Sequence, residues 1–130
     1  MIACNWKLNL DRDKFLAQHW QSKALLIRNA ISEFKPPVSS HELAGLPLEE
    51  QVESRLSECR DNACNVHECA FHTDDFDRDL PLTLLVQAVD HYCPDVAALR
   101  KLIDFIPQWR VDDIMVSYAV EGGSVGPHYD

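Results

Sequence analysis

The sequence predicts a mixed fold of the α+β class, and three stretches predict it. Residues 11–21, Asp-Arg-Asp-Lys-Phe-Leu-Ala-Gln-His-Trp-Gln, carry apolar and aromatic side chains at helical spacing. Residues 82–89, Leu-Thr-Leu-Leu-Val-Gln-Ala-Val, form a nearly continuous apolar run rich in strand formers. Residues 111–120 alternate, with Asp113, Met115, Ser117 and Ala119 on one side and Ile114, Val116, Tyr118 and Val120 on the other.

Taken in order, Asp11 is placed to cap the first helix, whose packing face is Phe15, Leu16, His19 and Trp20. Residues 24–28 are a short apolar run with polar flanks and predict a strand. Pro36-Pro37 breaks the chain. Ser39 or Ser40 then caps a short helix over 40–44 that Gly45 ends. The pattern at 53–56 fits helix and strand equally. Residues 61–65 have turn composition, and 65–71 fit one strand of a hairpin. The acidic stretch 73–79 predicts a solvated loop. Pro94 suits the first turn of a helix, whose apolar face is Val96, Leu99, Leu102, Ile103 and Ile106. Gly122-Gly123 turns the chain, and 124–130 predict a second strand folding back on 111–120.

At 130 residues the chain is of single-domain size and can bury a core. Its 12 basic and 21 acidic residues leave a net charge of −9, the wrong sign for direct nucleic-acid binding, which needs a basic surface. It would favour a basic partner. No apolar run reaches the length of a membrane span, and the first residues lack the basic and apolar regions of a signal peptide. The expectation is a cytoplasmic protein, in which the five cysteines (Cys4, Cys59, Cys64, Cys69 and Cys93) are thiols.

The chemistry points to Gly122-Gly123-Ser124-Val125-Gly126-Pro127-His128-Tyr129-Asp130. On a strand, His128 and Asp130 share a face, so an imidazole and a carboxylate could meet one cation. With a second histidine from elsewhere they would complete the 2-His-1-carboxylate triad of non-haem iron oxygenases, which leaves three positions open. The bare His-x-Asp pattern is weak. It recurs at His72-Thr73-Asp74, and a strand-end histidine bonded to a nearby aspartate explains it as well.

Five ordered segments narrow the choice. They are 15–21 (Phe-Leu-Ala-Gln-His-Trp-Gln), 42–46 (Glu-Leu-Ala-Gly-Leu), 52–56 (Val-Glu-Ser-Arg-Leu), 84–91 (Leu-Leu-Val-Gln-Ala-Val-Asp-His) and 107–117 (Pro-Gln-Trp-Arg-Val-Asp-Asp-Ile-Met-Val-Ser). With the Gly-Gly-x-Val-Gly-Pro-His-x-Asp end, they resemble the bacterial arginine hydroxylases of the sixteenth large-subunit ribosomal protein. These are ribosomal oxygenases of the Jumonji-type cupin family, which depend on Fe(II) and 2-oxoglutarate. The resemblance implies N-terminal α/β elements leading into an incomplete double-stranded β-helix. It implies His128 and Asp130 as metal ligands, and Asp113 and Met115 as receivers of the substrate arginine through ion pairing and apolar packing. Dioxygen and a ribosomal protein would be the further partners. The third ligand, the 2-oxoglutarate-binding residue and the dimerising helical region of the family would lie beyond Asp130. The expectation is therefore the N-terminal portion of one oxygenase domain over 1–130, cut after the His-x-Asp motif, monomeric and inactive by itself.

Two other readings compete. Cys59, Cys64, His67, Cys69 and His72 put five potential zinc ligands into fourteen residues, which suggests a small zinc-binding interaction module, although the paired knuckles of such modules are missing. A non-catalytic cupin remnant would keep the motif and lose the activity. No nucleophile elbow or phosphate-binding glycine loop is present. His91 near Cys93 is read as a buried strand end.

Overall fold

The computed structural model describes residues 5–61, 63–68 and 81–128. The acidic loop at 73–79, Cys69, His72 and Asp130 lie outside the described residues. The chain divides into two compact units. One holds the chain up to Pro36 together with Ala98–Asp112; the other holds Pro37–Ala97 and the chain from Asp113 onward.

The first unit is built on α1 (Arg12–Gln18). Asp11 caps it as expected, its Oδ1 accepting from the backbone N–H of Lys14 at 3.0 Å. Phe15 packs edge-on against Trp20 and Phe105, each with ring centroids 6.1 Å apart. Arg12 lies over Phe105 and pairs with Asp104 at 2.9 Å. Arg100 holds the return of the chain by donating to the carbonyls of Val111 and Asp112. Residues 24–28 are not the strand that their apolar run predicts. Leu26 is 78% exposed, and the pairing nearby is a single bridge between Leu8 and Ile31. A short apolar run becomes a strand only where a neighbouring strand completes its ladder.

In the second unit, α2 (Ser40–Gly45) opens with a full capping box. Ser39 Oγ accepts from the N–H of Glu42, and Glu42 Oε2 accepts from the Ser39 N–H and hydroxyl. A 3-10 turn over Leu46–Leu48 follows. Strands β1 (Ser54–Arg60), β2 (Ala63–Glu68), β3 (Leu82–Val86) and β4 (Val116–Ala119) form an antiparallel sheet in the order β2-β1-β3-β4. The ambiguous stretch at 53–56 is thus strand from Ser54 onward, because β1 lies between two partners that take up its N–H and C=O groups. Leu43, Leu56, Leu82, Leu84 and Val86 are buried, and α2 lies against the Leu56–Leu84 face.

The apolar run at 82–89 is strand only to Val86, and Val89 starts α3 (Val89–Tyr92). Ala88 between them is left-handed, with φ of 51°. Pro94 opens α4 (Pro94–Ala97), and residues 98–103 continue as a 3-10 helix, so the long helix expected here is in two short pieces. The alternating stretch at 111–120 is paired as strand over four residues only. Upstream of them, Ile114 is taken by α3, its carbonyl accepting from Val89 N–H at 3.0 Å and its N–H donating to Asp90 at 2.9 Å.

Two further expectations are corrected. Cys59 and Cys64 are not free thiols: they face each other across the β1–β2 hairpin, with Cα atoms 4.1 Å apart, and are joined by a disulfide. Residue counting cannot reveal such a pair, because the register of the hairpin creates it. Residues 124–128 do not form the second strand of a hairpin with β4. Gly122 and Gly126 have φ of 79° and 72°, and Pro127 has no N–H to give to a ladder.

Leu84→Ala should lower the unfolding free energy in urea by about 2–5 kcal/mol, and Leu26→Ala by less than about 0.5. The carboxyl of Glu42 is held below its ordinary range, first by the Ser39 hydroxyl and then by the Ser39 backbone N–H. A pKa lowered by folding contributes stability above the unfolded value, and that contribution is lost as pH falls through the folded value. Ser39→Ala should return the Glu42 carboxyl toward the ordinary range in a carbon-13 NMR titration and remove the acid-side weakening of α2.

Candidate metal and substrate site

The two faces of the sheet differ. On the α2 side Leu56, Leu82, Leu84, Tyr118 and Val120 point together and are largely apolar. On the other side Arg55, Ser57, Val66, Leu85, Gln87 and Met115 line an open cavity of about 370 Å³ that Val125 and His128 complete. The alternation expected along 113–120 holds: Met115 belongs to the cavity side and Tyr118 to the α2 side.

His128 reaches this cavity because the chain after β4 crosses the sheet face. Gly123 starts the crossing, its N–H donating to Val120 C=O at 2.8 Å. A Cβ at Gly123 would lie 2.6 Å from Leu82 O and 2.9 Å from Thr83 Oγ1, so no larger residue fits. Ser124 Oγ accepts from the Gly126 N–H at 3.0 Å and closes the next turn. The chain then passes the hairpin disulfide, with Ser124 O 3.1 Å from Cys59 Sγ. His128 is exposed, and its Nδ1 lies 3.0 Å from Gly126 O. A carbonyl only accepts, so a hydrogen bond here is made by the tautomer that carries its proton on Nδ1, in which Nε2 is the basic nitrogen of the ring. Such an arrangement fits a metal-ligating histidine, whose second nitrogen is usually tied to a carbonyl or carboxylate.

One imidazole is not a metal centre. Among the described residues no three of His, Cys, Asp and Glu come together as a metal-holding group, and Asp130 lies outside them. Among the described residues, Cys59, Cys64 and His67 do not form a zinc-ligand group either. Cys59 and Cys64 are spent in the disulfide, and His67, opposite Leu56, projects to the other face from Cys64.

Asp113 and Met115 have different surroundings. Met115 is half exposed in the cavity wall near His128. Asp113 is half-buried, and its Oδ2 accepts from the Ala88 N–H at 3.0 Å, holding the left-handed turn between β3 and α3. Arg55, Ser57 and Gln87 line the cavity and were not singled out in the sequence. The signal for Arg55 and Ser57 was the alternation of 55, 57 and 59, hidden while 53–56 could be helix or strand. Arg55 also pairs with Glu53 and Glu68, each at 3.5 Å, in an exposed setting worth about 0–1 kcal/mol per pair.

An antiparallel sheet with a histidine-bearing segment laid over one face defines a mixed helix-and-sheet protein, and its likeness is to the ribosomal oxygenases, over their N-terminal part. No protein-family model matches the chain. It is 39% identical over 125 residues to the ribosomal protein uL16 3-hydroxylase of Escherichia coli strain K12, covering 96% of this chain and 34% of that protein. It is 40% identical over 119 residues to a probable ribosomal oxygenase of Haemophilus influenzae, covering 89% of this chain and 29% of that protein. The chain thus spans about a third of the length of these curated relatives. Among solved structures, it matches Escherichia coli YcfD with a TM-score of 0.92 and 38% identity, covering 98% of this chain and 34% of the other. It matches that ribosomal oxygenase in complex with cobalt and 2-oxoglutarate with a TM-score of 0.90 and 39% identity, covering 96% and 35%.

Gly123→Ala should cost about 1–3 kcal/mol by overpacking against β3 and should broaden the His128 ring resonances. Gly45→Ala, in a right-handed helical position with nothing within 4 Å of a new Cβ, should stabilise by about 0.5–1 kcal/mol. Thermal melts of the two variants check the contrast.

Proposed function

We propose that this chain is the front part of a cupin-type, double-stranded β-helix oxygenase that hydroxylates an arginine of a ribosomal protein. The observation that carries the reading is the coincidence of two things. The chain is 39% identical to a uL16 3-hydroxylase, and His128 sits over a cavity with its Nδ1 already committed to a carbonyl. On this reading residues 1–130 belong to a single domain, and His128 and Asp130 are two of the iron ligands. Fe(II) with 2-oxoglutarate and dioxygen would supply the oxidant at this position; cobalt and 2-oxoglutarate occupy the solved relative. The setting would be cytoplasmic, with no direct nucleic-acid contact.

The residues of this chain then have distinct tasks. His128 presents Nε2 to the metal. Met115 packs the aliphatic part of the substrate arginine beside it. Asp113 attracts the guanidinium, and the Ala88 N–H holds its carboxylate at one oxygen. The net charge of −9 favours approach of a basic ribosomal protein.

The test joins residues 1–130 to the remaining part of the Escherichia coli relative and supplies Fe(II), 2-oxoglutarate and an arginine-containing uL16 peptide. The expected result is one succinate per hydroxylated arginine, abolished by His128→Ala. Met115→Ala should raise KM about tenfold with little change in kcat, as loss of ground-state packing does. Asp113→Asn keeps an acceptor for Ala88, so it should leave the melting temperature unchanged and lower turnover. Hydroxylation that survives His128→Ala would refute the metal role.

A further inference from the structure

We propose that Cys59 and Cys64 form a reversible redox-modification site, a dithiol oxidised by low-molecular-weight disulfides, and that its state sets the order of the segment carrying His128. Four observations converge on it. The two residues are direct partners in the β1–β2 register, so no backbone movement is needed to join them. Cys64 is exposed and Cys59 half-buried, so a small disulfide or thiol can reach the pair from solvent. Both sulfurs bear on the crossing segment: Ser124 O is 3.1 Å from Cys59 Sγ, and a Cβ on Gly126 would lie 3.2 Å from Cys64 Sγ. Gly126 O in turn is 3.0 Å from His128 Nδ1. The cross-link therefore communicates with the imidazole through one residue.

The chemistry balances as thiol–disulfide exchange. The Cys64 thiolate attacks one sulfur of a small disulfide such as oxidised glutathione and releases one glutathione thiolate. The Cys59 thiolate then displaces the second glutathione and closes the intrachain bond. Two cysteine thiols lose two protons and two electrons, and the external disulfide becomes two thiols. In the reverse direction the two sulfurs separate to nonbonded contact, and the residues resting on them, Ser124 and Gly126, must move with them. The opened hairpin end is also freer to fray, since the cross-link no longer limits it.

The effect on an iron ligand rests on the role proposed for His128; the redox site and its grip on the segment do not. The chain is equilibrated in glutathione buffers from reducing to oxidising, alkylated, and mapped by mass spectrometry, with amide hydrogen exchange read over 122–128. The peptide bearing Cys59 and Cys64 should take two alkyl groups in reducing buffer and none in oxidising buffer. Amides of 122–128 should exchange about tenfold more slowly in the oxidised form. Cys64→Ser should hold the faster rate in both buffers, and Cys93→Ser, which alters the one free cysteine among the described residues, should leave the change intact. Two alkylatable thiols at every ratio, or equal exchange of 122–128 in the wild-type chain under both conditions, would overturn the proposal. Failure of His128→Ala to affect hydroxylation would leave these outcomes untouched, so the two ideas fail separately.

Discussion

Where the chain leaves β4, the backbone at Gly123 passes so close to β3 that a methyl group would collide with Leu82 O and Thr83 Oγ1. This approach carries residues 124–128 over the sheet face instead of along the β4 edge. A paired strand at that edge would have kept the backbone in the sheet plane. Crossing the face, the segment roofs part of the cavity and puts His128 opposite side chains from β1, β2 and β3. The cost is irregular backbone, and it is met locally: Ser124 Oγ binds the Gly126 N–H, and Gly126 O meets His128 Nδ1.

The sheet supports this arrangement by being asymmetric. Its α2 side buries Leu56, Leu82 and Leu84, which supply the apolar driving force for this unit. Its other side keeps Arg55, Ser57 and Gln87 available to the cavity. The period of two along each strand is what allows one sheet to do both. The turn at Ala88 adds a further constraint, because Asp113 accepts from the Ala88 N–H and Asp90 from the Ile114 N–H, which together set where β4 begins. Asp113 thus has a structural partner whether or not it also meets a substrate.

Much of the local structure was legible. The caps at Asp11 and Ser39, the buried run at 82–86, the alternation around Met115 and the turn at Gly122-Gly123 follow from side-chain chemistry within a few residues. Residues 24–28 and 53–56 were not legible, for one shared reason. Strand formation depends on a partner elsewhere in the chain; β1 has two and 24–28 has none. Of the residues lining the cavity, His128 was legible and the walls were not. His128 stood out beside the paired glycines, whereas Arg55, Ser57 and Gln87 gained meaning only when three strands set them side by side.

By itself, then, the sequence determined the elements whose stabilising partners are near in the chain, and the resemblance of its five segments to ribosomal oxygenases. It also carried the two glycines whose positive φ bends residues 122–126. Only the tertiary structure decided that Cys59 and Cys64 meet, that residues 124–128 cross the sheet, and that Asp113 takes the Ala88 N–H. Each of these depends on register or on close approach between segments distant in sequence, and neither periodicity nor composition encodes such distances.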